Sequence, residues 1–305
     1  MRVARNIAEF SDFRDELTHG DPRPTVALVA TMGALHAGHR SLIRIARNVA
    51  DVVVVSIFVN PLQFGPDADY ARYPRVLDED LEVCQSEGVN IAFVPSVAEL
   101  YPAGRQVTLC AGQLGTVLEG RSWSGHFDGV LTVVSKLFNI VQPDKAIFGQ
   151  KDAQQLAVVR KMVTDLNWDV DIVSAPIVRE DDGLALSSRN RYLLPHERTS
   201  ALALSQSLRA AAQADNGADA VAAASSVLAL AEGGGSFDLD YLTLVNPQTF
   251  AELPPDHSGD ALLVVAATVG DTRLIDNTEL TFACRATVDE DAGVRVESVD
   301  AYASS

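Results

Sequence analysis

The segment from residue 24 to residue 49 constrains the fold more than any other part of the sequence. It reads PTVALVA, TMGALHAGHR and SLIRIARNV, and so predicts a buried strand ending at Ala30, a turn with two glycines and an amphipathic helix. Unpaired backbone N–H groups and the helix dipole favour an anion at such a helix N-terminus. His36 and His39 are three residues apart in this turn, which places them on one face if the turn coils into the helix. The segment therefore predicts a phosphate-binding site.

A second stretch, DVVVVSIFVN at 51–60, indicates the type of sheet. It is almost continuously apolar and β-branched, as expected for a parallel strand covered on both faces. Strands and helices of about ten to fifteen residues then alternate, so we predict a doubly wound, Rossmann-like α/β domain with a parallel sheet over residues 1–178. The other predicted strands are 89–95, 106–112, 145–149 and 170–178, and the predicted helices include 7–17, 77–87, 129–141 and 153–167.

The character of the chain changes after Val178. Alanine-rich helical sequence runs over 195–232, GGGS interrupts it, and apolar strands are predicted at 240–246 and 261–270. We predict a second, smaller α+β domain over 179–287. The remaining residues, 288–305, form an acidic tail with few large apolar residues, which we expect to be disordered.

Composition excludes several classes of partner. The net charge of −17 argues against non-specific binding to nucleic acid or to an anionic membrane. Three isolated cysteines without a CxxC pair argue against a disulfide framework or zinc cage, and fit a reducing compartment. No basic-then-apolar leader is seen, and the apolar run at 52–59 is shorter than the roughly 20 residues that span a bilayer. We expect a cytoplasmic protein.

A lysine and an aspartate follow another predicted strand. FGQKD at 148–152 repeats the order of strand, glycine turn and helix. Lys151 is placed where it can reach an α-phosphate, and Asp152 where it can accept from ribose hydroxyls. Taken alone, the motif favours ordinary capping or solvated residues at a helix start over a binding site.

The segment LALSSRN at 184–190 lies at the predicted domain junction. Its two hydroxyls and its guanidinium, from Ser187, Ser188 and Arg189, suit a polar loop that closes over a triphosphate. An ordinary hinge loop explains the same composition equally well.

Three neutral amides stand near strand ends or helix starts: Asn60, Gln63 and Gln155. Carboxamides can orient a hydroxy acid through hydrogen bonds without adding charge. Singly, each amide is more typical of a solvated loop or helix position than of a binding residue.

Other chemistries fit the sequence poorly. Residues 33–38 have the spacing of a P-loop, but His39 and Arg40 stand where that loop has Lys and Ser/Thr. A zinc site lacks a third ligand at a familiar spacing. Residues 120–124 miss the second glycine of G-x-S-x-G, and no G-x-G-x-x-G is present, which disfavours a serine hydrolase and an NAD enzyme.

These motifs, taken together, resemble one family. TMGALHAGH is similar to the His-x-Gly-His signature of the nucleotidyltransferase superfamily, and LSSRN to its second conserved loop. The ordered set over residues 24–195, and more loosely to 285, resembles the pantothenate synthetase (pantoate–beta-alanine ligase) family. The other stretches that carry the likeness are FVNPLQF, YPR, HFDGVLTVVSKLFN, FGQKDAQQ and DGLALSSRNRYL.

The resemblance implies a reaction. It implies coupling of (R)-pantoate to beta-alanine with ATP and Mg2+, through a pantoyl adenylate, with release of AMP and pyrophosphate, by a homodimer. A nucleotidyl transferase of the same superfamily and a non-catalytic nucleotide-binding protein are the alternatives.

The resemblance also implies roles for residues. Phosphates would be held and neutralised by His36, His39 and Lys151, with Ser187, Ser188 and Arg189 closing over them. The nucleotide pocket would include Thr31, Met32, Gly38, Phe148, Gly149, Asp152 at the ribose, Val178 and Leu186. Pantoate would contact Gln63, Gln155, Asn60 and Tyr73, and magnesium would lie near Asp80 and Gln63.

The sequence departs from the family pattern at four positions. Ala30 replaces a proline, and Gln150 and Ala153 replace a glutamate and an aromatic residue. Leu186 replaces a methionine, a near-isosteric exchange that costs less than about 1.5 kcal/mol. None of these changes removes a charged phosphate ligand.

Overall fold

The structure, a computed structural model, describes residues 1–65, 69–104 and 106–283. The predicted acidic tail lies outside these residues. A six-stranded parallel sheet has the order β1-β4-β3-β2-β5-β6. Its strands are β1 (Arg2–Ala4), β2 (Val26–Thr31), β3 (Val52–Ile57), β4 (Ile91–Phe93), β5 (Lys145–Gly149) and β6 (Asp171–Ala175).

Helices cover both faces of this sheet, as predicted for a doubly wound fold. Val26 and Leu28 of β2 join one apolar cluster, while Ala27 and Val29 join the cluster on the opposite face. Both faces of the strand are therefore buried, which explains why its sequence is continuously apolar. The first cluster involves α1 (Ile7–Thr18), α7 (His126–Val141) and α8 (Ala153–Asp165), and the second involves α2 (Ala37–Val49) and α4 (Leu77–Ser86).

Short elements connect these layers and border the site. The short helices are α3 (Asp69–Arg72), α5 (Val97–Leu100) and α6 (Glu119–Ser122). Single 3-10 turns lie at Pro61–Gln63, Gln113–Gly115, Gln150–Asp152 and Ser188–Tyr192.

A separate three-stranded antiparallel sheet confirms the smaller α+β unit. Leu263 and Val265 of its central strand pack on two helices, whereas Leu262 and Val264 pack on Ala153 of α8. The central strand thus joins the unit to the large sheet. The predicted boundary after residue 178 stays a prediction. The elements are α9 (Pro195–Ala211), α10 (Gly217–Glu232), β7 (Phe237–Val245), β8 (Gly259–Val269) and β9 (Thr272–Phe282).

The strand predicted at 106–112 is wrong. Backbone N–H groups there bond to side chains of α7: Leu109 donates to Thr132 Oγ1 at 3.1 Å and Ala111 donates to Asp128 Oδ1 at 2.7 Å. These bonds hold the segment along a helix instead of in a sheet.

Three features were not predicted. The edge strand β1 has three residues, too few for a visible period. The sequence of β9, TRLIDNTELTF, contains many polar residues and therefore lacks a clear strand pattern. The predicted helical run over 195–232 is two helices, because Asn216 caps the second by accepting from Asp219 N at 3.0 Å.

The strand order reverses between β2 and β5, which pair side by side with Val29 opposite Ile147. Open α/β sheets bind ligands at such a switch point, beyond the carboxyl ends of the strands. Those ends are Thr31 and Gly149. Within the described ranges, no helix is both long and apolar enough to cross a membrane.

Candidate active site

A cavity of about 290 Å³ opens at the switch point between β2 and β5. Residues of the second sheet, including Arg273, complete its wall. Every site residue predicted from the sequence lines this cavity except Asp80. They are Thr31, Met32, His36, Gly38, His39, Asn60, Gln63, Tyr73, Phe148, Gly149, Lys151, Asp152, Gln155, Val178, Leu186, Ser187, Ser188 and Arg189.

The two histidines of the first turn fix each other's geometry at the N-terminus of α2. His36 caps the helix: its Nδ1 accepts from Gly38 N at 3.1 Å, and its own N–H donates to Nδ1 of His39 at 3.2 Å. The ring centroids are 4.1 Å apart. Since each Nδ1 accepts, the neutral rings carry their protons on Nε2. Both imidazoles therefore have an Nε2–H left to donate.

These imidazoles are neutral near pH 7 in the free protein. Burial, assisted by the charge of Lys151, lowers the pKa of His36 to about 4. Burial and the neighbouring His36 lower the pKa of His39 to about 3. Desolvation disfavours the cationic forms of both imidazoles. In the free protein they therefore lack the positive charge that was expected to neutralise phosphate. They can bind an anion as hydrogen-bond donors, while Lys151 and Arg189 supply positive charge.

Asp80 supports the histidine turn from outside the cavity. Its carboxylate accepts from Ala34 N at 3.0 Å and Leu35 N at 2.6 Å, and the residue is 2% exposed. Gly33 has φ +90°, and a Cβ there would lie 2.7 Å from Asp80 Oδ2. The structure therefore argues against Asp80 as a magnesium ligand, because its oxygens are buried and bound to the turn.

Lys151 and Asp152 lie in the 3-10 turn that follows β5. Lys151 Nζ is 3.4 Å from Asp152 Oδ1. Burial opposes ionisation of Asp152, but the charges of Lys151 and Arg189 outweigh it and lower the pKa. The turn is held from β9, where Asn277 Nδ2 donates to the carbonyls of Gln150 and Lys151, both at 3.0 Å.

Asn60 has its carboxamide committed to the protein. Its Oδ1 accepts from Leu62 N at 3.2 Å and from the Tyr101 hydroxyl at 2.8 Å. Its Nδ2 donates to Gln63 Oε1 at 2.9 Å and to the Gly129 carbonyl at 3.1 Å. Asn60 borders the cavity but is 1% exposed. The structure thus favours a role in holding Gln63 over the direct substrate contact that the sequence predicted.

Gln63 presents its amide between β2 and α7. Its Nε2 donates to Met32 Sδ at 3.2 Å. The approach is tight, because a Cβ on Gly129 of α7 would lie 2.3 Å from the Leu62 carbonyl. Gln155, on α8, lines the same cavity. Two neutral amides therefore border the cavity that the histidine turn also lines.

The predicted closing loop is anchored in the structure. Ser187 Oγ accepts from Arg189 N at 3.3 Å, and Leu186 N donates to the Val178 carbonyl at 2.9 Å. The Arg189 guanidinium lies 5.9 Å from the centre of the Trp123 ring. Closure of the loop stays a prediction.

Tyr73 approaches from the opposite side of the histidine turn. Its hydroxyl donates to the Gly33 carbonyl at 3.3 Å. Burial raises the pKa of this phenol, although a hydrogen bond with Ser188 opposes the rise. Tyr73 therefore stays a neutral hydrogen-bonding group between the two loops.

Sequence reasoning missed several residues of the cavity wall. Arg273 of β9 binds Glu119 and Asp240, and Trp123 follows α6. Nothing in the sequence links Arg273 to Glu119, since they are 154 residues apart. His126 lies in the HFDG segment, which carries part of the family likeness but gives this histidine no role by itself. The motif itself was the available signal.

The described residues contain no group of three or more His, Cys, Asp or Glu side chains that could hold a metal ion. Asp152 is a carboxylate of the cavity, whereas Glu119 is already bound by Arg273. Mg2+ is commonly held by one or two carboxylates together with substrate phosphates and water. The donor set fits an ion of that kind and does not fit an all-protein cage.

Comparison with known proteins assigns the chain. The family model of pantoate-beta-alanine ligase matches residues 2–279. A pantothenate synthetase of Thermobifida fusca is 54% identical over 288 residues, covering 92% of this chain and 95% of that protein. The chain belongs to the pantoate-beta-alanine ligase family. It is therefore an ATP-dependent ligase, as the resemblance implied.

Solved structures of this family share the fold. A pantothenate synthetase from Thermus thermophilus has a TM-score of 0.83 and 44% identity, covering 91% of this chain and 99% of that one. A pantoate-beta-alanine ligase from Francisella tularensis, complexed with beta-gamma ATP and beta-alanine, has a TM-score of 0.74 and 35% identity. That match covers 91% of this chain and 97% of the other.

The four departures from the pattern of pantoate-beta-alanine ligases lie partly in the cavity wall and partly outside it. Gln150 accepts from Ser174 Oγ at 3.0 Å. Ala153 is buried in one apolar cluster with Leu262 and Val264 of the second sheet. Ala30 and Leu186 both line the cavity. Only these last two therefore change the cavity surface itself.

Proposed function

We propose that this ligase joins (R)-pantoate to beta-alanine in the cavity at the β2–β5 switch point, through a pantoyl adenylate. The observation that carries the proposal is the convergence of three separate segments on one cavity. They bring the paired imidazoles of α2, Lys151 after β5, and Arg189 of the 184–192 loop to its walls. The first two segments follow the carboxyl ends of β2 and β5, and open α/β sheets bind ligands beyond such ends at the switch point.

In the first step, a pantoate carboxylate oxygen attacks the α-phosphorus of ATP. A P–O bond to the carboxylate forms, the bond to the β-phosphate oxygen breaks, and pyrophosphate leaves with the electron pair. Two anions must approach each other, so the main requirement is preorganised positive and hydrogen-bonding groups. Lys151 and Arg189 provide charge, and the Nε2–H groups of His36 and His39 donate to phosphate oxygens.

Pantoate is proposed to bind between Gln63 and Gln155. The neutral amides bond to its hydroxyl and carboxylate groups, and Asn60 holds Gln63 in place. Phe58, Val130, Val133 and Val134 also line the cavity and suit the two methyl groups of pantoate. An apolar pocket with a few polar groups is the usual composition of a small-molecule site.

Mg2+ is proposed to enter with ATP, held by phosphate oxygens and water. It would neutralise part of the triphosphate charge, and Asp152 and Gln63, which both line the cavity, are proposed to contact it. Asp152 is proposed to serve the ribose hydroxyls as well. The second step then transfers the pantoyl group from AMP to the amine of beta-alanine.

The test is AMP formation by the purified protein with ATP, Mg2+ and both acids, and with each acid omitted in turn. We expect sustained AMP release only when both acids are present, and pantoate-dependent exchange of labelled pyrophosphate into ATP without beta-alanine. A stable adenylylated product would support a nucleotidyl transferase. ATP binding without exchange or AMP release would support a non-catalytic binder.

The chain is further proposed to act as a homodimer in the cytoplasm, without nucleic-acid or membrane partners. Support for the dimer comes from the resemblance to the pantoate-beta-alanine ligase family, which implied a homodimer. Light scattering during size-exclusion chromatography should give twice the chain mass of 32.6 kDa. A mass equal to a single chain would contradict the dimer.

A further inference from the structure

His126 lines the cavity, and its Nδ1 donates a hydrogen bond, whereas the Nδ1 atoms of His36 and His39 accept one. It is the first residue of α7, and its Nδ1 lies 2.7 Å from the Gln63 carbonyl oxygen. A carbonyl only accepts, so Nδ1 carries the proton and the neutral ring has Nε2 as an acceptor. The cavity thus combines two imidazoles that present donors with one that presents an acceptor.

The charged groups around His126 come from four elements. Glu119 lies on α6, Asp152 on the turn after β5, and Arg189 on the 184–192 loop, while Arg273 of β9 binds Glu119. Burial lowers the pKa of His126, with Arg189 acting in the same direction. The hydrogen bond to the Gln63 carbonyl raises the pKa, and so do the negative charges of Glu119 and Asp152. The hydrogen bond from Nδ1 to the Gln63 carbonyl leaves Nε2 as the ring atom that can take up a proton.

We propose that His126 Nε2 is the base that accepts a proton from the amine during amide formation. The inference rests on the proposed function, in which the amine attacks the carbonyl carbon of the pantoyl adenylate. The nitrogen lone pair forms the C–N bond, an N–H proton passes to Nε2, and the C–O bond to AMP breaks, with the electron pair leaving on the AMP phosphate. The imidazolium then releases its proton to solvent or to the departing AMP.

The chemistry of the two steps separates this role from adenylation. A carboxylate attacks phosphorus without losing a proton, so the first step needs no base. An attacking amine becomes positively charged, and its nitrogen must lose a proton before the tetrahedral intermediate expels the amine again. A neutral imidazole is suited to accept this proton, because the N–H group becomes more acidic when the nitrogen is positively charged. His126 stands beside Gln63, the residue proposed to bind the acid that becomes acylated.

The chain offers a variant that removes Nε2 and keeps the contact to Gln63. In His126→Asn, the side-chain amide nitrogen takes the place of Nδ1 and can still donate to the Gln63 carbonyl. The matched control is His196→Asn, since His196 is exposed on α9, outside the cavity. The control is expected to match the wild-type protein in both half-reactions.

For His126→Asn we expect kcat for amide formation to fall about a hundredfold, the lower range for loss of general-base catalysis. Pantoate-dependent pyrophosphate exchange should fall by less than about threefold, because no base acts in that step. Hydroxylamine should also trap the adenylate more slowly in the variant, because its attacking nitrogen becomes cationic and must lose a proton to a base. Higher pH should restore part of the amide formation in the variant, because hydroxide can then take up the proton that the missing imidazole would accept.

Three results would overturn the proposal. Equal losses in exchange and amide formation would make His126 a support for Gln63 only. Retained amide formation would remove the base role, and a raised KM for beta-alanine with unchanged kcat would make His126 a binding residue. Absence of exchange in the wild-type protein is a different result, since it would contradict the proposed function itself.

Discussion

Arg273 and Glu119 form a two-pronged ion pair between the second sheet and the wall of the cavity. The guanidinium nitrogens of Arg273 lie 2.6 and 2.7 Å from the two Glu119 oxygens, and both side chains are 18% exposed. Arg273 also binds Asp240 at 2.6 Å, and the Tyr241 hydroxyl donates to Glu119 at 2.7 Å. The ion pair thus holds α6 against β9. Trp123, whose ring lies beside Arg189, directly follows α6 and is held with it.

Removal of the guanidinium should destabilise the protein. Arg273→Met leaves two carboxylates without their partner, so we expect the free energy of unfolding to fall by about 3 kcal/mol. Urea denaturation measures this change. The matched control is Arg23→Met, because Arg23 pairs with Asp144 at 3.5 Å where both side chains are exposed. That variant should change the free energy of unfolding by less than about 0.5 kcal/mol. Equal effects in the two variants would contradict the structural importance of the Arg273 pair.

Lys151 should be required for turnover rather than for folding. Lys151→Ala removes the ammonium proposed to bind phosphate, so we expect kcat to fall about a hundredfold, as for a lost transition-state contact. His39→Ala is expected to have an effect of similar size. The control is Lys161→Ala on α8, where the ammonium is 61% exposed and pairs with Asp165. Near-normal turnover in both His39→Ala and Lys151→Ala would remove the assigned site.

Gly38 should be needed for the geometry of the histidine pair. A Cβ at this position would lie 2.9 Å from Cε1 of His36, so Gly38→Ala must displace the ring. Alanine favours the helix itself by up to about 1 kcal/mol. We therefore expect pyrophosphate exchange to fall at least about tenfold without loss of thermal stability, since misplacement of a catalytic group by about 1 Å can cost a hundredfold. Gly233→Ala, where the nearest atom is 3.6 Å away, is the control and should retain exchange.

Acid should weaken the fold through the same two imidazoles. Their pKa values in the folded protein, about 4 for His36 and about 3 for His39, are below the ordinary value of 6.5. Below pH 6.5 the unfolded chain binds more protons than the folded one, so the free energy of unfolding falls from there to about pH 3. Urea denaturation across this range should show a shallower fall in a His36→Gln/His39→Gln variant. An identical pH dependence in the two proteins would contradict the buried neutral state.

The sequence predicted those elements whose structure depends mainly on the residues of one short segment. Apolar β-branched runs predicted the parallel strands, because burial on both faces requires them. Motifs after strand ends predicted residues of one cavity, because the carboxyl ends of parallel strands share an edge. This reasoning placed Lys151 beside the histidine turn although more than a hundred residues separate them in the sequence.

Contacts between distant segments could not be predicted. Asn277 supports the Lys151 turn and Arg273 binds Glu119, yet both lie in β9, whose polar sequence gave no strand signal. The type of a polar residue also does not show whether its side chain binds a ligand or holds other residues of the site in place. Asp80 and Asn60 looked like ligands, but their polar atoms bond to the backbone and side chains that shape the site.

A crystal structure of the protein with pantoate and a non-hydrolysable ATP analogue tests the central claim most directly. We predict that the triphosphate lies within hydrogen-bonding distance of Nε2 of His36 and His39 and of Lys151 Nζ, with the pantoate carboxylate facing the α-phosphorus. A nucleotide bound outside the β2–β5 cavity, or pantoate far from Gln63, would contradict the account.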